Sequence, residues 1–211
     1  MNNRMSAHLH PGLNLGPAHG AAHERSETVL FGFWVFLMSD LITFGILFAT
    51  YAANTGRIGL AGGPGPGDLF DLKSIGLQTG FLLASSLTCG MASLSLKYNE
   101  GASRVVQWLV VTALLGAGFL AFEVRDFASM ISSGGTPMRS AWLSSLYALV
   151  GLHGLHVTMG LIWIAVMLAL LAVVGLSDRV KTRLLLFALY WHFLDLLWIG
   201  IFSVVFLTGM R

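Results

Sequence analysis

The sequence predicts an all-α, polytopic membrane protein: a bundle of five transmembrane helices. Three observations carry that expectation. Of the 211 residues, 55% are hydrophobic and only 10% are charged, against about 25% charged in an ordinary soluble domain. The mean hydropathy is +0.76. The apolar residues also gather into five long runs, each exceeding the ~20 residues that cross ~30 Å of hydrocarbon. The same figures exclude other classes. Twelve Lys+Arg and ten Asp+Glu cannot clothe a water-facing surface of this size, and a formal charge of +2 is too small for a nucleic-acid-binding face. Cys89 is the single cysteine, which removes a disulfide scaffold and any Cys-rich metal site.

The elements follow in order. Residues 1–27 are polar and read as a flexible cytoplasmic tail, not a secretory signal, because no apolar core precedes Glu24-Arg25-Ser26-Glu27. The tail carries His8, His10, His19 and His23, but Pro11, Gly12, Gly16, Pro17 and Gly20 loosen any metal-binding spacing. Helices are expected at about 28–53, 74–96, 105–125, 142–174 and 184–208, forming one membrane domain over 28–211. None shows the alternation of a barrel strand, and in lipid each run must satisfy its own backbone, which only a helix does simply. The fourth run is the longest and is expected to tilt or protrude. The Gly-Gly-Pro-Gly-Pro-Gly run at 62–67 lacks the lysine and hydroxyl of a phosphate loop and reads as a turn-rich linker.

Five crossings put the termini on opposite sides. Arg4, Arg25, Lys97, Arg104, Arg179, Lys181 and Arg183 fall on the N-terminal side, and Arg57, Lys73, Arg125, Arg139 and Arg211 on the other. That bias predicts a cytoplasmic N-terminus and a periplasmic C-terminus.

Polar groups inside a span need a reason. Asp40 lies mid-way along the first helix, beside Ser39 and Thr43. No basic partner is evident at its depth, so the expectation is a neutral acid bonded to those hydroxyls, with a proton-relay or lipid-contact carboxylate as the alternative. Glu123 lies near the end of the third helix, with Arg125 and Asp126 just beyond. His153 and His156 stand three apart on the fourth helix, as do His192 and Asp195 on the fifth. A rise of about 1.5 Å per residue puts His153 level with Asp195, and His156 level with His192. The two helices are therefore expected to be neighbours joined by a His–Asp network. Its ordinary role is packing and hydrogen bonding; proton handling and metal or haem ligation are the alternatives. Small residues, among them Gly116, Gly118, Gly151, Gly154 and Gly160, favour close helix approach. Trp142, at a helix start, reads as an interfacial belt residue.

Three motifs around these residues carry a resemblance. Gly151-Leu152-His153-Gly154-Leu155-His156-Val157-Thr158-Met159-Gly160, Tyr190-Trp191-His192-Phe193-Leu194-Asp195-Leu196-Leu197-Trp198 and Phe31-Gly32-Phe33-Trp34-Val35-Phe36-Leu37-Met38-Ser39-Asp40 closely resemble signatures of subunit III of haem–copper terminal oxidases. Glu123 and Asp126 resemble that family's paired acidic positions, and the resemblance covers nearly everything after residue 24. Longer members have seven helices; five resembles the short form typical of the quinol-oxidising branch, the cytochrome o ubiquinol oxidase.

The resemblance implies a non-catalytic subunit that holds no haem, copper or other cofactor itself. Haems and copper are implied in a partner, catalytic subunit I, with subunit II and a small subunit IV completing the complex in a bacterial inner membrane. Ubiquinol is reached only through the complex. Phospholipid is implied in a cleft between the first two helices and the remaining three. His153, His156, His192, Asp195 and Glu123 are implied core residues. The first-helix acid is a carbodiimide-reactive glutamate in the mitochondrial branch; Asp40 is one methylene shorter, which leaves that reactivity open. A cytochrome c oxidase third subunit, and a small proton channel or transporter, are the other readings.

Overall fold

The computed structural model describes residues 19–61, 72–98 and 100–207. Five long helices make up the fold: α1 (His19–Ala53), α2 (Leu72–Lys97), α3 (Ala102–Ser132), α4 (Ala141–Val174) and α5 (Asp178–Ile201). A short helical turn, Arg57–Leu60, follows α1, and α5 runs on into a π-helical stretch, Phe202–Leu207. All five are long and apolar enough to cross a membrane, so the chain is a multi-pass, all-helical membrane protein.

The helices are longer than their apolar runs. The backbone of α1 begins at His19, inside the segment expected as a tail. The helix α3 continues seven residues past 125, so Glu123, Arg125 and Asp126 are on its body and not at its end. Asp178–Arg183, expected as a connection, forms the first turns of α5, where the Lys181 amide donates to the Ser177 carbonyl. Hydropathy marks the part of a helix that lipid demands; polar turns in the headgroup region still complete the hydrogen-bond ladder. The tail histidines His8 and His10 and the 62–67 linker lie outside the described residues.

Local signals set the ends. Ser140 caps α4 by accepting from the Leu143 amide at 3.2 Å. Gly175, at φ 70°, turns the chain out of α4, a conformation glycine adopts without a Cβ clash.

Each of α2–α5 packs on two neighbours, α2 on α3, α3 on α4, α4 on α5 and α5 on α2, while α1 leans against α4 and α5 from outside. This differs from the implied division into first two and last three helices, because α2 makes its broadest contact with α3. Two tryptophans on one face of α5 close the ring. Trp191 donates to Ser85 Oγ of α2 at 3.1 Å. Its ring is held between Gly116 of α3 and Gly160 of α4, where an added Cβ would come within 2.8 and 2.7 Å of it. One turn-pair later Trp198 donates to Thr79 Oγ1 of α2 at 3.1 Å, meets Phe119 of α3 edge-on at 4.7 Å and lies against His153 of α4 at 5.3 Å. Each indole, carried by α5, thus touches the other three helices of the ring and satisfies its N–H inside the bundle.

The helix α1 docks through Leu37, Phe44 and Tyr51, spaced at seven and fully buried. Its other side presents Phe31, Trp34, Val35, Phe36, Ile42 and Ile46, all exposed. Trp142 is not a belt residue: it is fully buried and faces the Tyr51 ring, with centroids 6.4 Å apart. At the opposite end, Glu100 accepts from Arg104 and from Ser95. The Arg104 contact first, then the Ser95 hydroxyl, hold its carboxyl below the usual range.

Candidate functional site

The polar residues expected in one network divide into three places. The reason is angular. Residues three apart on a helix differ by about 60° in direction, enough for His153 and His156 to serve different neighbours of α4.

The first place joins α1 to α4. His156 Nε2 lies 3.3 Å from Asp40 Oδ2, both side chains largely buried, though off hydrogen-bond alignment. Asp40 therefore has the basic partner that the sequence did not reveal. Depth explains it: Asp40 is about 20 Å from the end of α1 and His156 about 22 Å from the start of α4, and those two ends lie on one side. Ser39 and Thr43 are not its partners; their hydroxyls bond the Phe36 and Ser39 carbonyls of their own helix. His156 Nδ1 is 2.7 Å from the Leu152 carbonyl, so Nδ1 carries a hydrogen and Nε2 faces the acid. The Phe44 ring meets the imidazole edge-on at 5.4 Å, and Tyr190 of α5 donates to the His156 carbonyl at 2.9 Å.

The second place is the core. His153 is fully buried, and neither ring nitrogen has a hydrogen-bond partner among the described residues. Phe119 stands edge-on to it at 5.8 Å, and Trp198 lies tilted against it at 5.3 Å. Glu123 of α3 is 4% exposed, and its carboxyl presses on Gly154, where an added Cβ would fall 2.6 Å from Oε1. One turn on, Asp126 Oδ2 accepts from Ser74 at 2.7 Å and Gln78 at 2.6 Å, both on α2.

The third place is the outer flank of α2 and α5. Ser86 Oγ is 2.8 Å from His192 Nδ1, and Asp195 lies within reach of the same hydroxyl. His192 is exposed, and the three line an open groove with Leu83, Leu87 and Gly90. The expected pairings of His153 with Asp195 and of His156 with His192 are not formed. Trp191 and Trp198 hold the inward face of α5, which turns His192 and Asp195 toward α2.

Sequence reading missed Ser86, Ser74, Gln78 and Thr79 as partners. Hydroxyl and amide side chains recurring through α2 were the available signal. Among the described residues no three His, Cys, Asp or Glu side chains converge as a metal site would require. The arrangement therefore offers polar fastenings between helices in an apolar bundle.

Comparison with known proteins agrees with that architecture. The chain is 46% identical over 188 residues to cytochrome bo(3) ubiquinol oxidase subunit 3 of Pseudomonas putida, covering 89% of each chain. It is 43% identical over 205 residues to the protein of that name from Pseudomonas aeruginosa, covering 97% of each. It is 39% identical to quinol oxidase subunit 3 of Bacillus subtilis, over 92% of this chain and 96% of that one. The family model for cytochrome c oxidase subunit III matches residues 15–210. With that match running across all five helices and both histidine motifs, the chain belongs to the cytochrome c oxidase subunit III family.

Proposed function

We propose that the chain is a non-catalytic, supporting subunit of a proton-pumping respiratory ubiquinol oxidase, which couples quinol oxidation to the reduction of oxygen to water. The observation that carries this is near-full-length similarity to relatives named as quinol oxidase third subunits, at 46%, 43% and 39% identity. The names of those relatives favour quinol over cytochrome c as donor.

In this reading the chain packs on catalytic subunit I, which holds the haems and copper, alongside subunit II and a small subunit IV. The outward length of α1, with large apolar side chains exposed from Val29 to Ile46, suits contact with phospholipid or with those partners. The complex sits in the bacterial inner membrane, and the lysine–arginine bias supports a cytoplasmic N-terminus. Residues 28–211 form the membrane domain. His153, His156, His192, Asp195 and Glu123 hold helices together, and Asp40 fixes α1 through His156.

The test is deletion of the chain followed by return of the wild-type gene. The remaining oxidase is expected to lose durability of quinol turnover while keeping its haem spectrum, and to regain it on complementation. An oxidase of unchanged durability without the chain would refute the supporting role.

A further inference from the structure

A cavity of about 170 Å³ lies between α2, α3, α4 and α5, at the end of the bundle where α3 finishes. Its mouth is at Arg125 and Ser129, both exposed. Ser129 is three residues from the end of α3, about 5 Å along the helix, and so in the headgroup region. Its closed end is Trp198, Val150 and Glu123, all buried. Glu123 Oε2 has no hydrogen-bond partner among the described residues.

Among the described residues no cation is paired with this carboxyl. Arg125 lies over the Phe122 ring at 5.4 Å and 3.7 Å from Asp126. Asp126 is satisfied by Ser74, Gln78 and that guanidinium. The other titratable group nearby is His153 of α4, next to Gly154 against which the carboxyl rests. From α2 the lining brings Ile75 and uncharged Gln78, and from α5 Trp198. An ionised carboxylate in an apolar setting is costly without a partner, and a protonated one still needs a hydrogen-bond acceptor. The cavity is far larger than the ~10–15 Å³ a water requires, and Gln78, Glu123, Asp126 and Ser129 supply the polar contacts water needs.

We propose that this cavity is hydrated and that Glu123, at its closed end, is a proton-exchange site open to the aqueous phase at the C-terminal end of α3. The carboxyl O–H bond breaks, the proton passes to cavity water and leaves by the mouth, and a proton returns the same way. The site is one-sided. Beyond Glu123, His153 is enclosed by Phe119 and Trp198 and bonds nothing among the described residues, so no hydrogen-bond chain continues inward. It is a cup, not a channel, and it does not depend on which donor the oxidase uses.

Infrared spectroscopy of the complex purified from its own membrane tests this. A protonated-carboxyl C=O band, absent in Glu123→Gln and displaced in Glu123→Asp, is expected to disappear as pH rises. It is expected to shift down promptly on transfer to heavy water, and Ser129→Trp, which fills the mouth, is expected to slow that exchange while leaving the band in place. Absence of the band at every pH the complex tolerates, failure to exchange in the wild type, or exchange indifferent to Ser129→Trp would each overturn the proposal.

Discussion

His156 Nε2 stands 3.3 Å from Asp40 Oδ2, linking the outlying helix α1 to α4 across the apolar interior. Nδ1 is directed to the Leu152 carbonyl, which leaves Nε2 as the ring nitrogen facing the carboxyl. Removing either member strands the other. Asp40→Leu and His156→Leu are each expected to destabilise the chain by about 1–3 kcal/mol. The double substitution should cost less than the sum, because no polar group is left unpaired. Thermal melting of the purified complex checks the cycle; additive losses would mean that the two side chains do not interact.

Trp191 predicts which glycines matter. Gly116→Ala and Gly160→Ala push a methyl group into a ring confined by α2, α3 and α4, and each is expected to cost about 1–3 kcal/mol. Gly32 and Gly45 of α1 have nothing within 4 Å of an added Cβ. Alanine there is expected to be neutral or to gain up to ~1 kcal/mol from helix propensity. Melting temperatures of the four variants separate the two groups.

Capping gives a smaller effect. Ser140→Ala removes the acceptor for the Leu143 amide and is expected to cost about 1 kcal/mol. Ser140→Asp should restore most of it, and the same melting assay reads both.

Glu100 gives a pH dependence. Its carboxyl is lowered from 4.5 by Arg104 and Ser95, so its contribution is fully present above about pH 4.5 and is lost as pH falls through the lowered folded value. Glu100→Gln is therefore expected to lower stability slightly above about pH 4.5, to leave it unchanged at pH values where the wild-type carboxyl is protonated, and so to flatten the acid limb of the stability curve. Because the pair is exposed, high salt should reduce the difference.

The five spans were legible because lipid imposes a length and an apolarity that composition reveals directly. Helix neighbours were not legible to the same degree. In water a polar face marks the outside of a helix; in a bilayer every face is apolar, and α4 from Trp142 to Val174 offers almost no such mark. Depth arithmetic matched His153 with Asp195 only because α4 and α5 were compared. Applied to α1 and α4 it finds Asp40 and His156. What depth cannot give is direction around the axis, and that sent His192 and Asp195 to Ser86. The family motifs were legible residue by residue. The four-helix seating of Trp191 and Trp198 depends on Ser85, Thr79, Gly116 and Gly160, which no single motif contains.

Affinity purification of the tagged chain from its native membrane in mild detergent, with haem spectra and parallel quinol and cytochrome c oxidation assays, tests the central reading most directly. The expected result is co-purification with a larger haem-bearing subunit in a complex that reduces oxygen with quinol. A chain that purifies alone, or a complex that oxidises cytochrome c and not quinol, would contradict it.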